Sequence, residues 1–564
     1  MSRSFAIGVF AFTALFCALF VLYPILHTVK EAFMGPDGGF TLAYLQHVLT
    51  NAIYLEGLVN AFLLAMASTF LAFVLALPLS VLSDRYVFPL KGVMVSLVLV
   101  PLVLPPFVGA IGIKQLLGVD GAINALCVQL GVMDANHPID WLGRGRFWGV
   151  AVMNALHLYP ILYLNLTAAL ANLDPAMEEA ARNLGATRWR RFRRITLPLA
   201  MPGIFAGCTI VFIWAFTELG VPLIFDYTRV TSVQIFDGIK DLSGNPFPYA
   251  LVVILLVCTS CFYLASKLTL GRFQSSMNTR ATMARVPEYL GGWRGLGVLL
   301  FFLTVTVLAV LPHAGVILMS LASDWYGTVL PESFTMRHFG EALADPLVVP
   351  SIQNSLFYAS CATIIDVVLG VAIAYVVVRT DLRGRQFLDA LAMLPLAVPG
   401  LVLAFGYLAM TRQGEFFDFL RVADDPTLIL IVAYATRRLP YVVRSAAAGF
   451  QQTSVVLEEA ARNLGCSPLR ALRRVTLPLI AANLIAGALL AFSFAMLEVS
   501  DSLVLAQQSS FYPITKAIYQ LFNQLGNGHF LACALGVWAM AFLAATIAGA
   551  SGILGKKLGA LFRI

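Results

Sequence analysis

The sequence predicts an all-α polytopic membrane protein of about twelve transmembrane helices, arranged as two parallel six-helix repeats. Three observations carry this. The 564-residue chain is 59% hydrophobic and only 12% charged, where a soluble globular chain carries about 25% charged residues. Its apolar runs reach the roughly 20 residues that a helix needs to cross a bilayer core. A block of sequence in the first half also returns in the second at a fixed offset, which marks the halves as copies of one unit.

The first-half spans fall near 5–26, 58–82, 92–113, 147–170, 202–225 and 249–270. Those of the second half fall near 296–319, 351–378, 387–410, 427–448, 481–506 and 530–554. Arg3 ahead of the first run would suit a signal peptide. The apolar stretch is too long for one, however, and no small-residue cleavage site follows at Tyr23-Pro24-Ile25-Leu26. It reads as a retained span. The eight cysteines are scattered, most of them in apolar runs. Cys258 and Cys261 form a CxxC inside a span with no second pair, which fits small apolar filler better than redox or metal chemistry. No metal site is expected.

Alternating sides from a cytoplasmic N-terminus puts 24 of the 37 Lys and Arg residues in cytoplasmic segments and 10 in outer ones. The remaining three, Arg437, Arg438 and Arg444, fall inside a span. By the positive-inside rule both termini are then cytoplasmic. The same distribution accounts for the net charge of +7 without any nucleic-acid partner.

The repeat sets the domain organisation. Glu178-Glu179-Ala180-Ala181-Arg182-Asn183-Leu184-Gly185 recurs 280 residues later as Glu458-Glu459-Ala460-Ala461-Arg462-Asn463-Leu464-Gly465, and Thr196-Leu197-Pro198-Leu199 recurs as Thr476-Leu477-Pro478-Leu479. Earlier in each half the offset is 294: Phe40-Thr41 matches Phe334-Thr335, Asn60 matches Asn354, and Pro101 and Pro105 match Pro395 and Pro399. Gly244-Asn245 matches Gly526-Asn527 near the ends. The first repeat is therefore 1–270, with its repeated loop over 171–201. The second is 296–564, with its loop over 449–480, and the basic stretch 271–295 is the cytoplasmic linker.

In each copy Glu-Ala-Ala is followed by Gly, then after nine residues by an aliphatic residue, one residue, Leu and Pro. The first copy runs Glu179-Ala180-Ala181, Gly185, Ile195, Leu197, Pro198, and the second Glu459-Ala460-Ala461, Gly465, Val475, Leu477, Pro478. This resembles the EAA loop of binding-protein-dependent ABC importer permeases of type I. The likeness covers essentially the whole chain and is strongest to the fused double permeases of the ferric-iron and 2-aminoethylphosphonate importers. Val475 replaces the usual Ile. The residues support a short helix in each loop. Asp174-Pro175 is a helix start, Glu178 and Glu179 suit the positive end of the dipole, and Gly185 ends the helix.

The resemblance implies that this helix docks on a cytoplasmic ATPase and transmits its closure, through Glu178, Glu179, Ala180, Ala181 and Gly185 and their counterparts Glu458, Glu459, Ala460, Ala461 and Gly465. It further implies two copies of that ATPase, a periplasmic solute-binding protein and a bacterial inner-membrane location. The arginines from Arg188 to Arg194 read chiefly as anchors to anionic headgroups. No phosphate-binding GxxxxGK[ST] loop occurs; Gly549…Gly555-Lys556-Lys557 has the wrong spacing. The chain is expected to be no enzyme and to hold no cofactor, ATP and Mg being bound by the partner.

Charged groups at mid-bilayer cost about 2.5–3.5 kcal/mol each on insertion scales and mark function by default. Glu218 and Glu498 match at the 280 offset, Asp501 lies one turn beyond Glu498, and Arg437 and Arg438 face first-half counterparts His157 and Leu158. Glu218, Glu498, Asp501, Arg437, Arg438 and His157 are candidate pathway residues; the competing reading makes them structural ion pairs. Asp366, whose counterpart is Ala72, reads as structural. The paired prolines of each third span would kink a helix, which suits a gate, although membrane helices also tolerate proline.

A secondary transporter of the major facilitator type is the alternative, since it too has a 6+6 parallel repeat, but it does not account for two identical loops before the fifth spans. A non-transport scaffold needs neither loops nor buried charge. The two arginines lean toward an anionic cargo such as a phosphonate or phosphate ester, and the acids toward a cation such as ferric iron.

Overall fold

The computed structural model describes residues 3–35, 37–103, 105–143, 146–239, 246–274 and 287–554. Residues 275–286 of the expected linker over 271–295 lie outside them, as do Gly244-Asn245 and the basic residues of the C-terminal end. Ten helices among the described residues are long and apolar enough to cross a membrane. In chain order the elements used below are α1 (Ser4–Ala32), α2 (Ala52–Arg85), α3 (Lys91–Val98), α4 (Pro106–Leu117), α5 (Phe147–Ala171), α6 (Pro175–Asn183), α7 (Leu197–Phe216), α8 (Phe247–Gln274) and α9 (Gly292–Leu321). They continue as α10 (Val348–Arg379), α11 (Arg385–Ala397), α12 (Gly400–Met410), α13 (Thr427–Gln452), α14 (Val455–Asn463), α15 (Leu477–Met496), α16 (Ser500–Leu505) and α17 (Gly528–Leu554).

The third and ninth expected spans are broken at proline pairs. The ninth is a broken pair, Arg385–Leu396 and Gly400–Met410, meeting at 91° across Pro395 and Pro399. The third is interrupted in the same way between α3 and α4, at Pro101 and Pro105. A proline has no N–H, so Pro105 leaves the Pro101 carbonyl without its helical partner four residues on. The tenth expected span is α13, 26 residues long, whose three arginines set it apart from the ten apolar helices. It nevertheless packs along α10 and α15.

The described residues form two compact units that cut across the repeats. One is built from Met1–Asn51, Ile235–Leu256 and Phe339–Phe562, the other from Ala52–Gln234 and Val257–His338. In the first, α10, α13 and α15 pack on one another, and α1, from the opposite repeat, lies against α10, α11 and α12. In the second, α2, α5 and α7 form the same arrangement and α9, again from the opposite repeat, lies against α3 and α4. Each repeat thus lends its first helix to the other's bundle.

Small residues make the exchange possible. A Cβ on Gly112 of α4 would sit 2.0 Å from the Pro312 carbonyl oxygen of α9, and one on Gly406 of α12 would sit 2.8 Å from Pro24 Cβ of α1. Gly112 and Gly406 are 294 residues apart, so the same seat is built twice. Close backbone approach through small residues is the usual basis of helix packing in lipid. The matched Asn60 and Asn354 also act alike. Asn60 Nδ2 donates to the Arg229 carbonyl at 2.9 Å, and Asn354 Nδ2 to that of Ser510 at 2.9 Å. Thr41 and Thr335 each cap the backbone two residues on, at 3.1 Å.

Candidate functional site

The repeated loops form helices α6 and α14. Asp174 accepts from Ala176 N–H at 3.0 Å and Ser454 from Val456 N–H at 3.4 Å, satisfying donors that a helix start leaves free. Both helices end in a Schellman turn. In α6 the Ala186 N–H donates to the Ala181 carbonyl at 3.0 Å and Gly185 N–H to that of Arg182 at 2.9 Å; Cys466, Ala461, Gly465 and Arg462 repeat both distances. Gly185 and Gly465 have φ of +78° and +83°. A Cβ built on either would meet nothing within 4 Å, so within this chain the left-handed backbone, not crowding, selects glycine.

Each helix is tied to the end of the second span of its own repeat. Arg85, the last residue of α2, donates to Glu178 Oε1 at 2.8 Å and to Thr196 Oγ1 at 2.9 Å. Thr196 in turn donates to the same carboxylate. In the second repeat Arg379, the last residue of α10, has its Nε 3.3 Å from Glu458 Oε1, an ion pair in which neither of these two atoms makes a hydrogen bond, and its Nη2 donates to the Thr453 carbonyl at 2.6 Å. The pairs are largely buried, side-chain exposure being 18% and 14% for the first and 6% and 10% for the second. Thr476, the counterpart of Thr196, is buried with no hydrogen bond to its hydroxyl, so the second tie lacks the bridging hydroxyl of the first. Sequence reasoning missed Arg85 and Arg379 as site residues, although the 294 offset relates them.

Glu179, Glu459, Ala180 and Ala460 are exposed, and Ala181 and Ala461 half-buried. Around them stands an apolar surface that also repeats. Leu184 and Leu464 are 88% and 89% exposed, and Trp189 and Leu469 are 68% and 65% exposed. Met177 and Leu457 add to it. These large apolar side chains on and just beyond a short polar helix form an exposed patch in each repeat. Beyond it both copies pass through one π-helical turn, Phe192–Thr196 and Leu472–Thr476, before entering α7 and α15.

The second group of candidates lies inside the bundle. Arg437 and Arg438 of α13 both reach Glu498, one to each carboxylate oxygen, and Arg437 Nη1 is also 3.3 Å from Asp501 Oδ2 on α16. Arg438 Nη2 donates to the Phe494 carbonyl at 3.2 Å, and its guanidinium lies over the Phe494 ring. The Arg437 side chain reaches from α13 into the break of the ninth span, its guanidinium 2.3 Å from where a Gly400 Cβ would be. Asp501 Oδ1 and both oxygens of Asp366 are buried without a hydrogen bond. Two arginines face two acids here, so the cluster neutralises itself.

The first-repeat counterparts sit differently. His157 donates from Nδ1 to the Pro101 carbonyl at 2.8 Å, closing the acceptor that Pro105 frees, at the position where the second repeat places Arg437. Glu218 lies in the other compact unit and accepts from Gly220 N–H at 3.0 Å and Val221 N–H at 3.4 Å. Ser232 donates to its carbonyl at 2.6 Å, as Ser502 does to that of Glu498 at 2.5 Å.

A family model described as the inner membrane component of binding-protein-dependent transport systems matches residues 72–277 and 366–551. The chain belongs to that family. The permease is 28% identical over 525 residues to the ferric transport system permease protein FbpB of Actinobacillus pleuropneumoniae, covering 88% of this chain and 71% of that one. It is 28% identical over 510 residues to FbpB 1 of Haemophilus influenzae, whose name assigns it provisionally to ferric transport; 85% of this permease and 75% of the relative are covered. The molybdate/tungstate permease WtpB of Pyrococcus furiosus is 31% identical over 199 residues, 35% of this chain and 75% of its own. Two matched segments make this a fused double permease of the ABC importer class, and nothing supports the secondary-transporter alternative.

Proposed function

We propose that this permease carries a small solute, delivered by a periplasmic binding protein, into the cytoplasm at the expense of ATP hydrolysed by two partner subunits, one on each of α6 and α14. The observation that carries the reading is the duplicated tie between coupling helix and second span. A partner pushing on α6 or α14 moves Glu178 or Glu458, and with it the buried end of α2 or α10. The repeated exposed apolar residues are the surface such a partner would cover. The positive-inside distribution supports an orientation in a bacterial inner membrane with α6, α14 and both termini on the cytoplasmic side. ATP and Mg are bound by the partners.

For the cargo, ferric iron is the reading we favour, because relatives matched over most of this chain are named for it. The buried arginines give little support to an anion, since Glu498 and Asp501 already offset their charge. A small oxyanion is the second reading, favoured by the shorter match to a molybdate/tungstate permease. Arg437, Arg438, Glu498 and Asp501 line or gate the route in either case.

The test is reconstitution in proteoliposomes with a cognate ATPase and binding protein from the same organism. ATP-dependent uptake of ferric iron, absent when either partner is omitted, is expected. Uptake driven by an ion gradient without ATP would overturn the importer reading. ATP-driven uptake of molybdate or phosphonate in preference to iron would overturn the cargo assignment alone.

A further inference from the structure

His27, Glu31 and Glu415 converge on one point, and no role has been given to them above. His27 and Glu31 are four residues apart in the last turns of α1, which puts them on one face of the helix. Glu415 comes from the loop after α12. One ligand atom from each of the three lies within 4.8 Å of the others. His27 Nε2 is 2.9 Å from Glu415 Oε2, with the histidine side chain 5% exposed. Even so, neither ring nitrogen of His27 makes a hydrogen bond. The carboxylate is close to the nitrogen without lying along an N–H direction, which a simple imidazolium–carboxylate pair would require.

A shared cation accounts for that arrangement. Two donors in adjacent positions of an octahedral ion, each with a bond of about 2.1 Å, are about 3 Å apart, with both lone pairs directed at the ion and not at each other. One imidazole and two carboxylates form a donor set for zinc, manganese or iron rather than for a thiophilic ion or for an all-oxygen calcium cage. We infer that His27, Glu31 and Glu415 bind a first-row transition-metal cation.

The surroundings hold the three donors in place. Tyr407 of α12 donates to the Phe20 carbonyl of α1 at 2.6 Å, and Thr28 to that of Pro24 at 2.9 Å. In the loop, Glu415 N–H donates to the Arg412 carbonyl at 3.1 Å, and Gly414, at φ +87°, donates to Asp418 Oδ2 at 3.1 Å. Of the cations nearby, Lys30 is exposed and 3.9 Å from Glu31, and Arg412 donates to the Tyr249 hydroxyl at 2.8 Å. The other end of α1 packs at Ala6 against Ile373 and Val376 of α10, close to the Arg379–Glu458 tie. At 1.5 Å per residue His27 is roughly 30 Å from that end, across the span from α14. In the orientation proposed above this is the periplasmic mouth of the first and ninth spans.

The inference stands whichever cargo the permease carries. The same chemistry serves a cargo ion entering the bundle or a resident ion that pins α1 to the α12 loop. The experiment uses the full chain, freed of any affinity tag, in lipid nanodiscs, titrated with Zn2+ by calorimetry and with Mn2+ by electron paramagnetic resonance. One ion per chain is expected. His27→Gln and Glu415→Gln should each weaken binding at least about tenfold, while Glu332→Gln, in a separate exposed loop, leaves it unchanged. Co2+ bound to the unaltered protein should also show the visible bands of a nitrogen–oxygen site, a readout that needs no variant to fold. An unaltered protein that binds no ion, or variants that bind as it does, would overturn the site. With the ATPase and binding protein added, Mn2+ released during turnover identifies a cargo ion, and Mn2+ retained through it a resident one.

Discussion

Arg85 and Glu178 are joined at 2.8 Å, at the place where α2 ends and α6, the helix proposed to couple to the ATPase, makes its first turn. Arg379 and Glu458 repeat the pairing at 3.3 Å. Hydrogen bonds to charged groups contribute about 1.5–3 kcal/mol, and losing that much from a transmission step corresponds to roughly tenfold or more in rate. Arg85→Ala should therefore lower uptake at least about tenfold while the ATPase still copurifies, and Arg379→Ala, which leaves the buried Glu458 carboxylate without its ion-pair partner, should lower it at least as far. Because Thr196 braces only the first tie, Arg379→Ala should be the more damaging of the two. Full uptake from the double variant would separate the ties from coupling.

The glycines at the coupling-helix ends make a different prediction. Their left-handed φ costs an L-residue about 1–2 kcal/mol, and asparagine tolerates it better than other side chains. Gly185→Asn and Gly465→Asn should retain much of the transport, and Gly185→Val and Gly465→Val should lose it with the protein still in the membrane. Equal loss from asparagine and valine would show that space at the partner interface, not backbone strain, is what glycine provides.

Removing one member of the buried cluster leaves an uncompensated charge, which costs about 3–5 kcal/mol in a buried pair. Arg438→Gln alone and Glu498→Gln alone should each depress uptake sharply, and the matched double change should recover part of it. Glu218→Gln should be milder, since Glu218 accepts from backbone N–H groups of its own turn. Uptake is measured in proteoliposomes beside the yield of folded protein. Single variants that lose yield but keep full turnover per folded molecule would make the cluster structural.

Topology is open to direct measurement. Reporter fusions after Leu270 and at the C-terminus should report cytoplasm, and fusions at Asp237 and Asp345 should report periplasm. A periplasmic report from Leu270 would break the orientation on which the proposed coupling rests.

The repeat offsets were enough to place the short helices α6 and α14 and the proline breaks, because both depend on residues close together in sequence. Schellman turns need only a glycine after a short helix, and a proline interrupts the helix it stands in. The exchange of first helices was not legible. It rests on Gly112 meeting Pro312 and Gly406 meeting Pro24, contacts between residues about 200 and 380 apart in the chain, and nothing local to either glycine names its partner. The His27–Glu31–Glu415 convergence escaped for the same reason, Glu415 being remote from the helix it faces. The self-neutralising cluster was half legible: the charges stood out in apolar runs, but that both arginines share Glu498 is a matter of packing.

The exchange of first helices also sets a timetable for synthesis. The helix ending at Ala32 leaves the ribosome before every other helix described above, yet its seat on Tyr407 and Gly406 does not exist until nearly 400 further residues have been made. At about 5–20 residues per second, that is on the order of 20–80 s in which the helix stands in the bilayer without its permanent neighbour. The helix from Gly292 to Leu321 has no such delay, because Gly112 is already in place when it emerges. The N-terminal helix must therefore be content in lipid by itself, and its long apolar stretch from Phe5 to Leu26, interrupted by no charge, provides for that interval.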